Sequence, residues 1–86
     1  MIRALGDKVP KIHPTAFVSE SAYVVGDVEI GPGSSIWHGV VIRANKHKVT
    51  IGSNVNIQDG SVIHSDSDCV FGDNTTLGHL VMCHAK

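Results

Sequence analysis

Three imidazoles crowd the last third of this 86-residue chain: His64 in "VNIQDGSVIH", and His79 and His84 in "GHLVMCHAK". Neutral imidazole is the commonest side-chain metal ligand. Three of them around one ion leave a fourth position open to water, the arrangement of a catalytic rather than a structural zinc site. The spacing of five between His79 and His84 fits neither the three-and-four rhythm of a helix nor the alternation of a strand. Some other element must bring these side chains together, and the rest of the chain says which.

Helix formers are scarce, and Gly, Val, Ile, Ser, Thr, Asn and Asp dominate, a mixture that favours strands and turns. The length predicts a single domain over residues 1–86 with a small core. Net charge is −1 and no run of Lys or Arg appears, so nucleic acid is not an expected partner. The opening "MIRALGDKVPKIHP" lacks an apolar stretch long enough for a signal peptide or a membrane span, and no membrane partner is expected. Cys69 and Cys83 form neither a CxxC pair nor a disulfide framework, and read as the reduced thiols of a cytoplasmic protein. A small core without disulfides needs another stabiliser, either a metal or oligomerisation.

A six-residue period settles the fold class. Aliphatic residues recur at Ile12, Val18, Val24, Ile30, Ile36 and Ile42; after three extra residues at Ile51, Ile57 and Ile63; and after two more at Phe71, Leu77 and Cys83. Small or β-branched residues follow four places later, as at Ala22, Val28, Ser34, Val40, Val55 and Ser61. This is the signature of a hexapeptide β-helix, in which each hexapeptide is a short strand plus a turn. Three hexapeptides make one triangular coil, so the reading is an all-β parallel β-helix of about four coils beginning at Ile12, Ile30, Ile51 and Phe71. Residues 1–11 form a lead-in. Both interruptions, after Ile42 and after Ile63, fall at the same corner, where stacked bulges would build the wall of a site.

The coils give each side chain an address. Arg43, His64 and His84 each follow a third-face mark and form one column. Strands in a sheet lie roughly 4.8 Å apart, close enough for two stacked imidazoles to converge on an ion with zinc–nitrogen bonds of about 2.0–2.1 Å. His79 falls on the second face, above Asp59 and His38, with a corner of the triangle between it and the pair. A neighbouring subunit would reunite them: three prisms around a threefold axis set the second face of one chain against the third face of the next, a heterologous contact that closes into a ring. His13 and His38 read as surface histidines. Trp37 reads as an interface residue and Cys83 as an inert core thiol; Cys69 is placed on the corner bulge.

The stretches "IWHGVVIRA", "VNIQDGSVIH" and "GHLVMCH" resemble the γ-class carbonic anhydrases of the hexapeptide-repeat superfamily. The resemblance runs from Ile12 to His84 and implies a left-handed parallel β-helix assembled as a homotrimer. It implies zinc, with iron or cobalt as alternatives, held by His64 and His84 of one chain and His79 of its neighbour. It also matches Arg43 to an arginine of subunit packing and bicarbonate binding, Gln58 to a glutamine near the metal-bound solvent, and Asp59 to the acid beside it. The pattern departs at Asn45, where the family usually carries aspartate, and at the corner, which offers Lys46, His47 and Asp66 instead of proton-shuttling acids. The resemblance covers the early coils alone, so the family's later coils and C-terminal helix are not expected within residues 1–86.

The implied reaction is reversible hydration of CO₂ to bicarbonate. The ion lowers the pKa of a bound water from 15.7 to roughly 7, and the hydroxide attacks CO₂. Gln58 would orient it, Arg43 would stabilise the anion, and Asp59 would pair with Arg43 or with a ligand imidazole. His47 or Asp66 would carry the proton away. Two alternatives stay open: a metal-binding trimeric scaffold without catalysis, and a hexapeptide acyltransferase with a histidine base. The last coil presents Leu77, Val81 and Cys83 at an open end, so stacking of two trimers through that end, or another chain as a cap, is expected.

Overall fold

In the computed structural model, which describes residues 1–85, the six-residue period folds as short strands joined by turns, with no helix among the described residues. Four two-residue strands make the second face: β3 (Phe17–Val18), β5 (Ser35–Ile36), β7 (Asn56–Ile57) and β10 (Thr76–Leu77). They pair in parallel and stack Val18, Ile36, Ile57 and Leu77 in register. β4 (Tyr23–Ile30) and β6 (Val41–Ile51) are longer because they run around a corner and serve two faces. Their first halves pair with β1 (Ile2–Arg3) and β8 (Val62–Ser65), and β8 with β11 (Met82–Ala85), to make the third face, aligning Val24, Ile42, Ile63 and Cys83. Their second halves pair with β2 (Lys11–Ile12) and β9 (Cys69–Phe71) to make the first face, aligning Ile12, Ile30, Ile51 and Phe71. The fold is the expected parallel β-helix of about four turns.

The twelve marked positions all point inward. Ile30, Ile36, Ile42, Ile51, Ile57 and Ile63 are at most 1% exposed, and withdrawing each such side chain from water stabilises the fold by roughly 1.5–3 kcal/mol. In the last coil Leu77 and Cys83 are half-buried against this core. The two buried serines of the secondary series tie coils together. Ser34 Oγ donates to the Gly52 carbonyl at 2.7 Å and accepts from the Val55 amide at 3.0 Å. Ser61 repeats this one coil higher, donating to the Gly78 carbonyl at 2.5 Å and accepting from the Val81 amide at 3.1 Å.

The first interruption is not a loop hanging off the prism. Residues 41–51 stay extended, and Ala44 and Val49 are buried at its two ends. The strand wraps the corner, and between those two buried ends residues 45–48 face outward in part. The second interruption packs on the first: the Lys48 amide donates to Asp68 Oδ1 at 2.9 Å, and His47 Nδ1 lies 3.7 Å from the same oxygen. The corner leaves no room below it. Gly26 sits there at φ 91°, and a Cβ on it would lie 2.1 Å from the Ala44 carbonyl oxygen. The lead-in joins the prism too, with Ile2 in register with Val24 and Lys8 Nζ donating to the Asn45 carbonyl at 3.0 Å. Cys69 opens β9 opposite Val49 and packs on the core, so it belongs to a strand rather than to the corner bulge. Burial, and then the neighbouring Cys83 thiolate charge, push its thiol above the ordinary cysteine range, which fits an inert thiol rather than a nucleophile.

Candidate metal centre

The parallel ladder that aligns Ile42, Ile63 and Cys83 carries the next residues with it. Arg43 is in register with His64, and His64 with His84. The two imidazoles stack with centroids 5.5 Å apart and planes within 4° of parallel. His64 Nδ1 lies 3.1 Å from the Arg43 carbonyl oxygen. With the proton on Nδ1 donated to that carbonyl, Nε2 keeps its lone pair for an ion, the usual way a ligand histidine is oriented.

His79, Asp59 and Gln58 stand elsewhere. The Gln58 amide bonds the Leu77 carbonyl and the Leu80 amide bonds the Asp59 carbonyl, so these residues follow the second-face strands into the next turn. His79 Nδ1 is 4.0 Å from Asp59 Oδ1, both side chains more than half exposed. The six residues singled out from sequence therefore fall into two sets within one chain. Arg43, His64 and His84 share the third face; Gln58, Asp59 and His79 share a second-face corner.

Among the described residues, the side chains that do come within ligand reach of one another are His64, Asp66 and His84, whose ligand atoms lie within 4.8 Å. His84 Nε2 is 3.3 Å from Asp66 Oδ2. Sequence reasoning placed Asp66 on the corner as a proton carrier and missed this approach. The signal for it was local: in "HSDSD" the Ser67 amide donates to Ser65 Oγ at 3.2 Å, and Ser65 Oγ donates to the Ser67 carbonyl, a bend at Asp66 itself. Behind the cluster a pocket of about 390 Å³ is lined by Asn45, Lys46, His47, His64, Ser65 and Asp66, so the two stacked interruptions do form one wall. His47 is held toward Asp68. Outside this region the remaining histidines are locally engaged, His13 Nδ1 with Thr15 Oγ1 at 2.9 Å and His38 Nδ1 with Ser21 Oγ at 2.6 Å. Trp37 faces outward, as expected, with Phe17 beside it at 5.0 Å between ring centroids.

The six-residue repeat and the stacked coils make the chain similar to hexapeptide-repeat proteins. Residues 10–44 match the family model described as bacterial transferase hexapeptide (six repeats). Its curated relatives include Gamma carbonic anhydrase 1, mitochondrial, of Arabidopsis thaliana, 44% identical over 91% of this chain and 31% of that protein. They also include the uncharacterized transferase YtoA of Bacillus subtilis, 44% identical over 99% of this chain and 51% of that protein. The crystal structure of a hexapeptide transferase family protein from Anaplasma phagocytophilum superposes with a TM-score of 0.92 at 37% identity, covering 96% of this chain and 49% of that one. The chain thus spans about a third to a half of the length of the relatives it matches. No helix among the described residues is long and apolar enough to cross a membrane.

Proposed function

We propose that this chain is a metal-dependent, γ-carbonic-anhydrase-like protein that interconverts CO₂ and bicarbonate at a site shared between neighbouring chains of a homotrimer. The observation that carries the reading is the stacked His64–His84 pair, with His64 oriented through Nδ1 so that Nε2 is free. The donor set fits zinc, and equally iron or cobalt. When bound, the ion supplies a strong Lewis acid that makes hydroxide available from water near neutral pH. The rest falls to the chain. His64 and His84 hold the ion from the third face. His79 of a neighbour, with Gln58 and Asp59 from the same second-face corner, approaches across the subunit contact. Gln58 orients the attacking oxygen, Arg43 receives the bicarbonate charge, and Asp59 steadies His79.

One observation favours a second reading within the same fold. The first interruption contributes Asn45, Lys46 and His47 to the corner wall and no carboxylate, which suits binding an ion without rapid proton removal, hence a metal-binding scaffold. The acyltransferase alternative predicts binding of a CoA ester that survives removal of metal.

The test is metal content per chain in protein purified without chelators, beside His84→Ala. About one zinc, iron or cobalt per wild-type chain, lost in the variant, together with CO₂ hydration that follows metal content, supports the proposal. Bound metal without hydration selects the scaffold. No metal after reconstitution overturns both.

A further inference from the structure

We propose that Asp66 is itself a metal ligand, so that His64, Asp66 and His84 hold a divalent transition-metal ion within a single chain. The proposal rests on the reading of His64 and His84 as ligands and adds the oxygen donor. Three observations converge on it. Ligand atoms of these three residues, alone among the described residues, lie within 4.8 Å of one another. The backbone carbonyl of Arg43 accepts from His64 Nδ1 and so leaves the Nε2 lone pair to an ion. Asp66 and His64 both line the pocket behind the cluster, which gives an ion an aqueous approach.

A plain His84–Asp66 ion pair is the competing explanation, and the chemistry decides against it as the whole account. Both side chains are well exposed, and an exposed pair of this kind adds little stability. It would not require a second imidazole held parallel on the next coil with its outer nitrogen free. Two imidazoles and one carboxylate from one side are instead a donor set suited to iron(II), cobalt(II) or zinc, with the remaining positions open to solvent or to a ligand from elsewhere. The consequence is an order of events. A single chain captures the ion, and a neighbour's His79 adds to a site that is already loaded.

The experiment is titration of cobalt(II) into the metal-free full chain, read from the visible ligand-field bands, which report the donor set as well as affinity. Wild type, Asp66→Ala, Asp66→Asn, Asp66→Glu and His84→Ala are compared at protein concentrations low enough for chains to sediment singly. Circular dichroism melts confirm that each variant folds, as an exposed aspartate should allow. The expected result is about one cobalt per single wild-type chain, with affinity lowered at least about 10-fold and bands altered in Asp66→Ala and Asp66→Asn, and partly recovered in Asp66→Glu. Weaker binding with unchanged bands would mean that Asp66 acts only as a nearby charge, and overturns the proposal. So does wild-type behaviour of the Asp66 variants while His84→Ala loses cobalt, a result that leaves the two-histidine reading standing. Failure of wild type to bind at any concentration overturns both.

Discussion

Two columns of polar residues climb this prism, and they differ in how the fold holds them. Arg43, His64 and His84 lie on β6, β8 and β11, in register along a parallel ladder. His38, Asp59 and His79 lie on the turns after β5, β7 and β10. In the first column the ladder hydrogen bonds fix each Cα, so the His64 and His84 rings stack to within 4°. In the second, backbone bonds still tie turn to turn, yet the side chains project into solvent, and His79 reaches Asp59 only at 4.0 Å. A strand column can assemble a site within one chain; a turn column is placed to meet something outside it. The contrast can be attacked at several points.

The heaviest blow to the strand column would come from beneath it. Gly26 is paired with Ala44, one residue beyond Arg43. Gly26→Ala forces a methyl against the Ala44 carbonyl at a backbone angle side chains rarely adopt. The clash and strain should cost about 2–4 kcal/mol, lowering the melting temperature by more than about 10 °C in a domain of this size. Melting unchanged within a few degrees would show that the corner can yield, and that the column is less rigid than its geometry suggests.

Next comes the metal. His84→Ala should lower cobalt affinity at least about 100-fold at every protein concentration, because its ligand belongs to the same chain as His64. His79→Ala should lower it less, and the deficit should grow with protein concentration, as a neighbour's ligand demands. Equal losses, independent of concentration, would erase the distinction between the columns.

How much of this could be read from the residues follows from the same distinction. The six-residue period gives every inward position a register partner, so Ile36, Ile57 and Leu77, or Ile42, Ile63 and Cys83, could be aligned by counting. His64 and His84 inherit their alignment from those neighbours. Counting fails where the period does. Residues 43–49 read as a bulge, yet Ala44 and Val49 turn inward and keep the segment extended, because two apolar side chains at its ends are worth burying even around a corner. Cys69 was misplaced for the same reason. Asp66 lies in the second interruption, where its direction depends on a serine bend and not on a repeat. The position of His79 relative to the pair was legible as a separation, and within one chain the structure keeps it.

A gentler test concerns the turn column's backbone. Gly39 and Gly60 occupy equivalent turn positions with φ of 70° and 76°, whereas the last coil has Leu80 there at φ 53°. A leucine in the left-handed region costs roughly 1–2 kcal/mol, and its exposed side chain returns little beyond its contact over Gly60. Leu80→Gly should therefore raise stability by about 0.5–1 kcal/mol, seen as a higher denaturant midpoint. Destabilisation would mean that the Leu80 contact over Gly60 matters more than the strain, and that the turn beside His79 is held more firmly than its exposure implies.

The smallest effect is expected at Asp59. Its carboxylate faces His79 across 4.0 Å with both groups more than half exposed, and such pairs contribute no more than about 0.5 kcal/mol. Asp59→Asn should leave the melting temperature of single chains within about 4 °C of wild type. Under the proposed shared site the same substitution would act differently in assembled protein, where His79 would present its ring to a neighbour's ion with Asp59 beside it. A loss of metal affinity that emerges only at assembling concentrations would assign Asp59 that orienting part. A loss already present in single chains would place Asp59 in the strand column's electrostatic reach, and the two columns would then be one site.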